Sequence, residues 1–305
     1  ALTRFIFRHS ESPLIARALR FLGQAQQAAG LFADAVESYQ RNLRLFPRTP
    51  DAGSSLIPLA RCYMTMGDEY ADQAKKTLQI ILDDSDVFTP MAPEYADALF
   101  LMAELLKQTG AWEEAVPVFE EAIERYVSDP RVTRARFLLG DCYRQSGLAL
   151  KQDYEQAEFA GERQRLLAER ERRLRRAARM FERVVTDDES RGPNKLSRLD
   201  TVYLRHARLY IGDCYFELGE YDKALARYER SAWMYRGTST ALSAYVQIIN
   251  CHVFQGDRAE AKAALRRALY LVETTADAAF ADGAGIETRD DWREYFEWVA
   301  QSEVF

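Results

Sequence analysis

The chain of 305 residues carries 48% hydrophobic and 29% charged side chains, which excludes a disordered polypeptide and suffices for one large or two ordinary domains. Its net charge of −6 divides into blocks of alternating sign: +4 over residues 1–50, −11 over 51–130, +6 over 131–198 and −5 over 199–305. Such blocks predict separate surface patches along a stacked chain, and the acidic total argues against general nucleic-acid binding without excluding a local basic site.

In chain order, residues 1–13 (ALTRFIFRHSESP) align with the helix and exit VFEEAIERYVSDP at 118–130, and residues 1–12 read as the second-helix remnant of a preceding repeat. The chain is therefore expected to begin inside a repeated unit, as a piece of a longer protein. Residues 13–274 read as six helix pairs, I to VI. Each pair has a glycine closing its first helix: Gly30, Gly67, Gly110, Gly147, Gly219 and Gly256, at spacings of 37, 43, 37, 72 and 37 residues. The second helices carry Ala35, Ala74, Ala115, Ala177, Ala224 and Ala261, each followed four residues later by Tyr39, Leu78, Phe119, Phe181, Tyr228 or Leu265. Two antiparallel helices joined by a tight turn need a residue that accepts φ > 0, a small residue where backbones approach, and a large one to fill the adjacent hole.

Pair IV departs from the others, with 30 residues between Gly147 and Ala177 where pair I uses five. The insertion at about 150–176 is rich in helix formers and free of proline. It predicts a backward extension of the second helix by roughly 35 Å, with Gly161 as its weak point. Its arginines Arg170, Arg172, Arg173, Arg175, Arg176 and Arg179 form a basic helix. Three readings fit: a solvated face, a surface for an acidic protein, or a site for nucleic acid or anionic lipid. Beyond pair VI, residues 275–287 (beginning TADAAFADGAG) read as a flexible linker. Residues 288–303 read as a capping helix started by Thr288 and Asp291, with Trp292, Tyr295, Phe296 and Val299 on one face.

The spacing of these residues resembles the tetratricopeptide repeat (TPR), a helix–turn–helix unit of 34 residues. Pair I matches through Gly23, Gly30, Phe32, Ala35, Tyr39 and Pro47, pair III through Ala103, Gly110, Trp112, Ala115 and Phe119, and pair V through Gly212, Gly219, Tyr221, Ala224 and Tyr228. Pair II has two extra residues in its turn, and pair VI has Ile249 at the small-residue position. The resemblance implies an all-α, right-handed superhelical solenoid of about six pairs. The stretches SDPRVTRARFLLGDCY and TPMAPEYADALFLMAELL are also similar to TPR proteins of the bacterial cell envelope.

The same resemblance assigns a concave groove to the first helices. Carried over position by position, it names Arg17, Arg20 and Gln24 from pair I, Arg61 and Met64 from pair II, and Phe100, Glu104 and Lys107 from pair III. Pair IV contributes Arg134, Phe137, Asp141 and Arg144, pair V Leu209, Asp213 and Phe216, and pair VI Val246, Asn250 and Val253. Phe100 and Phe137 form an expected aromatic ladder beside a row of Glu104, Asp141 and Asp213. Two readings fit: the row meets a peptide with apolar and basic side chains, or the acids pair with Arg134 and Arg144 while the rings pack between repeats. The carboxylate-clamp version of the family lacks support, since Pro58, Asp97 and Leu101 occupy its positions.

Catalytic chemistry has little material here. There are three histidines, and neither CxxC, HExxH, GxGxxG nor GxxxxGK[ST] occurs. Asp83, Asp84 and Asp86 lack the glycine and distal glutamate of a calcium loop. The four cysteines, Cys62, Cys142, Cys214 and Cys251, share one repeat position and read as small buried hydrophobes. The expected function is a non-catalytic scaffold without cofactor or metal that binds other proteins, as peptide or helix. Two alternatives stand beside it: nucleic-acid or anionic-lipid binding by the basic helix, and an accessory domain of a larger enzyme or envelope assembly.

Overall fold

Apolar residues at helical spacing, interrupted by short glycine turns, build a succession of antiparallel helices in the computed structural model. It describes residues 1–9, 11–47, 49–83, 87–191, 197–280 and 288–302. The chain divides into two compact units, Ala1–Ala135 and Arg136–Phe305. Among the described residues there is no β-strand.

The first unit runs through α1 (Leu2–Arg8), α2 (Ile15–Ala28), α3 (Phe32–Leu45), the short α4 (Pro50–Gly53), α5 (Leu56–Met66), α6 (Ala71–Asp83), α7 (Pro93–Gln108) and α8 (Trp112–Arg125). Helix α1 lays Ile6 against Ile15, Ala18 and Leu19 of α2. The two extra residues of pair II are absorbed by a 3₁₀ turn at Asp68–Tyr70. Of the calcium-loop residues considered above, Asp84 and Asp86 lie outside the described residues.

The second unit takes in α9 (Val132–Gln156) from Arg136 onward, then α10 (Ala160–Arg191), α11 (Arg198–Glu217), α12 (Tyr221–Met234), α13 (Ser239–Gln255), α14 (Arg258–Thr274) and α15 (Arg289–Gln301). Helix α11 starts at a capping box. The Asp200 amide donates to Ser197 Oγ at 3.1 Å and the Ser197 amide to Asp200 Oδ2 at 2.9 Å.

Small residues face large ones throughout the core. All six predicted alanines are fully buried, as are Tyr39, Leu78, Phe119, Phe181 and Tyr228. A Cβ added at Gly212 would lie 2.5 Å from the Tyr228 ring, and one at Gly140 would lie 2.9 Å from Phe181. These are contacts that only a missing side chain permits. The four cysteines are buried free thiols, and burial pushes Cys62 up to about 11 and Cys251 up to about 12.

Three expectations change. Five of the six predicted turn glycines adopt positive φ, between 73° and 120°, but Gly147 does not. It lies inside α9, against Leu174 of α10. The residues after it contain no helix breaker, and the longer connection requires no reversal at that point. The insertion therefore lengthens both helices of the pair rather than α10 alone. The chain reverses at 157–159, where Arg163 donates to the Ala157 carbonyl at 2.9 Å. Gly161 falls just beyond, within the first turn of α10.

At the other end, residues 275–280 of the expected linker are packed. Phe280 is buried, and Arg289 donates to the carbonyls of Val272, Glu273 and Thr275, so it covers the end of α14. Residues 281–287 lie outside the described residues, as does residue 303 of the expected cap. Helix α15 buries Trp292 and Phe296 in the same cluster as Leu265 and Val272.

Gly212→Ala should force the Tyr228 ring aside and cost about 1–3 kcal/mol. Gly161→Ala, which meets nothing within 4 Å, should be neutral or stabilising by up to about 1 kcal/mol. Chemical unfolding of both variants checks the contrast, and equal midpoints would refute the close-contact account.

Candidate partner-binding site

Successive first helices touch directly, α5 with α7 in the first unit and α11 with α13 in the second. Contact between successive second helices does not reach that extent. The side on which these first helices meet is here called the inner face of each unit.

On the inner face of the first unit, Arg17 and Arg20 reach Asp51 at 3.6 and 2.9 Å. Gln24 and Arg61 are exposed, while Met64 and Lys107 are half-buried. Glu104 accepts from Arg134 at 2.9 Å. Burial raises the Glu104 carboxyl above its ordinary value, against the pull of Arg134, Arg61 and Arg131. Phe100 is buried at 2% exposure, with the Arg131 guanidinium 4.3 Å above its ring. Arg131 is itself held by Asp97 and Asp129 at 2.6 and 2.7 Å.

On the inner face of the second unit, Phe137 is buried among Phe181, Tyr203 and Tyr210, with ring centroids 4.8–5.9 Å away. Asp141 pairs with Arg144 at 2.8 Å, and the Arg144 guanidinium lies 4.3 Å over Tyr210. Asp213 accepts from the Tyr228 hydroxyl at 2.6 Å. Burial raises both the Asp213 carboxyl and the Tyr228 hydroxyl, so the phenolic proton stays on the tyrosine as donor. Leu209, Phe216, Val246 and Val253 are only partly buried, and Asn250 beside them donates to Gln247 at 3.2 Å.

The expected aromatic ladder is therefore not open to a ligand. Phe100 and Phe137 are core side chains, because an arginine or a cluster of rings closes over each. The carboxylate row is likewise engaged, by Arg134, Arg144 and Tyr228, which is the internal-pairing reading. What stays accessible is a polar set in the first unit (Arg17, Gln24, Arg61) and a mainly apolar strip in the second (Leu209, Phe216, Val246, Asn250, Val253). The sequence reading missed Tyr210 and Arg131. Tyr210 follows groove position Leu209 by one residue, and its aromatic character beside an arginine-bearing helix was the available signal.

The basic helix changes more. Arg170 pairs with Glu217 and also donates to the Glu217 carbonyl at 2.7 Å. Arg172 and Arg173 pair with Glu169, and Arg175 bridges Glu171 and Glu220 at 2.8 and 2.6 Å. Arg176 donates to the Tyr143 hydroxyl at 3.0 Å. Arg179 alone of the six is without a partner among the described residues. A continuous basic strip for phosphate is thus reduced to Arg179 and the solvent-facing part of Arg172.

A family model described as tetratricopeptide repeat matches residues 1–52, 58–126 and 100–160, and a second one matches 206–237. Photosystem I assembly protein Ycf3 of Prochlorococcus marinus is 30% identical over 120 residues. That match takes 38% of this chain and 66% of the relative, just under two thirds of its length. Among solved structures, YrrB, a TPR protein with an unusual peptide-binding site, superposes with a TM-score of 0.52 at 18% identity. That superposition covers 80% of this chain and 97% of the other. The TPR-like repeats of a putative kinesin light chain from Podosopora anserina give 0.50 at 16%, over 72% and 95% of the two chains. At these identities the structural likeness concerns the fold alone.

Two measurements test this geometry. Asp213→Asn keeps an acceptor for Tyr228 and removes the charge. Because the folded pKa of Asp213 is raised, its contribution to stability is complete below the ordinary 3.8 and lost as pH rises through the folded value. The variant should match the wild type below pH 3.8 and exceed it in stability near neutral pH, and a gap that widens on acidification would refute this. In the basic helix, Arg170→Ala should cost about 2 kcal/mol by stranding Glu217. Arg179→Ala should stay within about 0.5 kcal/mol of wild type. Thermal unfolding distinguishes them.

Proposed function

The chain belongs to the tetratricopeptide-repeat family, and on that premise we propose that it is a non-catalytic scaffold holding a peptide or helix of another protein on its first-helix face. The observation that carries this reading is the partly buried strip of Leu209, Phe216, Val246 and Val253 with Asn250 among it. A folded surface that leaves apolar side chains half-covered beside a hydrogen-bonding amide suits an apolar segment with a few fixed polar contacts. In the first unit, Arg17, Gln24 and Arg61 supply the polar counterpart. The peptide-binding site of YrrB and the assembly role in the name of Ycf3 fit a chain whose work is to hold partners. The paired arginines of α10 give no comparable support to a nucleic-acid or lipid site.

Selection of a random peptide library on the immobilised chain tests the reading. Binders should lose at least about tenfold in affinity in Leu209→Asp/Val246→Asp, the equivalent of about 1.4 kcal/mol, and be unmoved by Arg172→Glu. Circular dichroism checks that the variants stay helical. Binders indifferent to both first-helix changes would remove the proposal.

A further inference from the structure

The second helices of pairs V and VI carry the same two outward residues at the same register. Two residues after the buried Tyr228 comes Arg230, and five after it Trp233. Two after the buried Leu265 comes Arg267, and five after it Tyr270. At about 100° per residue, these offsets place arginine and aromatic on either side of the direction opposite the buried side chain. The two arginines are 37 residues apart, as are the two aromatics, which is the spacing of Gly219 and Gly256. Trp233 and Tyr270 are 68% and 69% exposed, so both rings are open to a partner. The equivalent positions on α8 hold Glu121 and Glu124, and those on α3 hold Arg41 and Arg44, so the arginine–aromatic combination is particular to α12 and α14.

The charges of this face are available, unlike those of α10. Arg230, Lys262, Arg266 and Arg267 have no acidic partner among the described residues. Arg230 lines a hollow of about 340 Å³ with Arg208 and Arg227, whose own ion pairs with Glu189 and Glu182 keep them in place. Arg266 and Arg267 line a second hollow of about 450 Å³, walled by Tyr245 and Tyr270. The Arg236 guanidinium lies 5.7 Å over the Trp233 ring and keeps that ring presented.

From this ladder we infer that the second-helix face of α12 and α14 is a docking surface for an acidic protein segment whose carboxylates alternate with apolar or aromatic side chains. Each repeat offers a planar guanidinium for bidentate pairing and a flat ring beside it, the residue types that dominate interface energetics. One unpaired arginine at the shared position of each repeat suits discrete carboxylates. A continuous phosphate backbone would also meet Glu229 and Glu260, which stand on the same two helices. This surface is separate from the first-helix strip and does not depend on it.

The full chain is titrated with three fluorescent probes: a peptide of repeated Glu-Leu-Glu-Phe, the same peptide with lysine for glutamate, and a single-stranded oligonucleotide. The acidic peptide should bind and its lysine twin should not. Affinity for the acidic peptide should fall at least about tenfold in Arg230→Glu/Arg267→Glu, and likewise in Trp233→Ala/Tyr270→Ala, as for central interface residues. It should be unmoved in Leu209→Asp/Val246→Asp. Equal binding of the two peptides, or affinity that survives both surface double variants, would overturn the inference. Oligonucleotide bound more tightly than peptide and lost in the arginine variant would overturn it in favour of nucleic acid. Loss confined to the Leu209/Val246 variant would overturn it while leaving the first-helix reading standing.

Discussion

The contact on which everything else rests is a large side chain seated directly on the backbone of its partner helix. Tyr228 lies on Gly212 and Phe181 on Gly140, at distances no Cβ would allow. The same arrangement brings Tyr39 onto Gly23. This approach brings the two helices of a pair as close as packing permits, and it leaves polar atoms of the large residue at the inner edge. There the Tyr228 hydroxyl finds Asp213, and the Tyr39 hydroxyl finds Gln27 at 3.1 Å. One packing rule therefore sets both the spacing of the helices and the polar character of the inner face. The insertion in α9 and α10 is tolerated for the same reason. Gly140 and Phe181 keep their contact, and the added residues lengthen the hairpin at its far end.

Ion pairing then decides which faces remain open. Glu217 and Glu220 lie at the turn between α11 and α12 and engage Arg170 and Arg175, so the most basic stretch of the chain is largely neutralised by its own neighbours. Arg230 of α12 and Arg266 and Arg267 of α14 have no such neighbours among the described residues, whereas Arg227 is paired with Glu182. Local sequence density of charge is thus an incomplete guide to surface potential in a repeat protein: Glu169 and Glu171 compensate from within the helix, while Glu217 and Glu220 arrive from 47 and 45 positions away.

Much of the fold was legible before any coordinates. Glycine at five turns, alanine at six close approaches and a large apolar residue four positions later are local requirements of a helix pair. Gly147 misled because a glycine inside a helix and one that ends it have the same sequence spacing. Only the length of the following helix-compatible run separates the two. The candidate site was legible as to face but not as to exposure. Phe100 and Phe137 hold groove positions in the repeat, yet Arg131 and Tyr210, set by the packing of neighbouring elements, close over them. Residues 275–280 looked like a linker because they are rich in alanine and aspartate. Phe280 and the reach of Arg289 made that stretch part of the packed end.

By itself the sequence determined the repeat family, the spacing of the helix pairs and the alanines and large residues that seat one helix of a pair on the other, since these follow from periodicity and side-chain size within about 40 residues. The tertiary structure decided which charges are free, which aromatics are covered and where α9 ends. Those outcomes depend on partners brought together across pairs, through Coulomb attraction and ring packing that no local pattern encodes. The four cysteines thereby resolve into buried thiols marking the repeat, and the arginines into groups whose availability is a property of the fold.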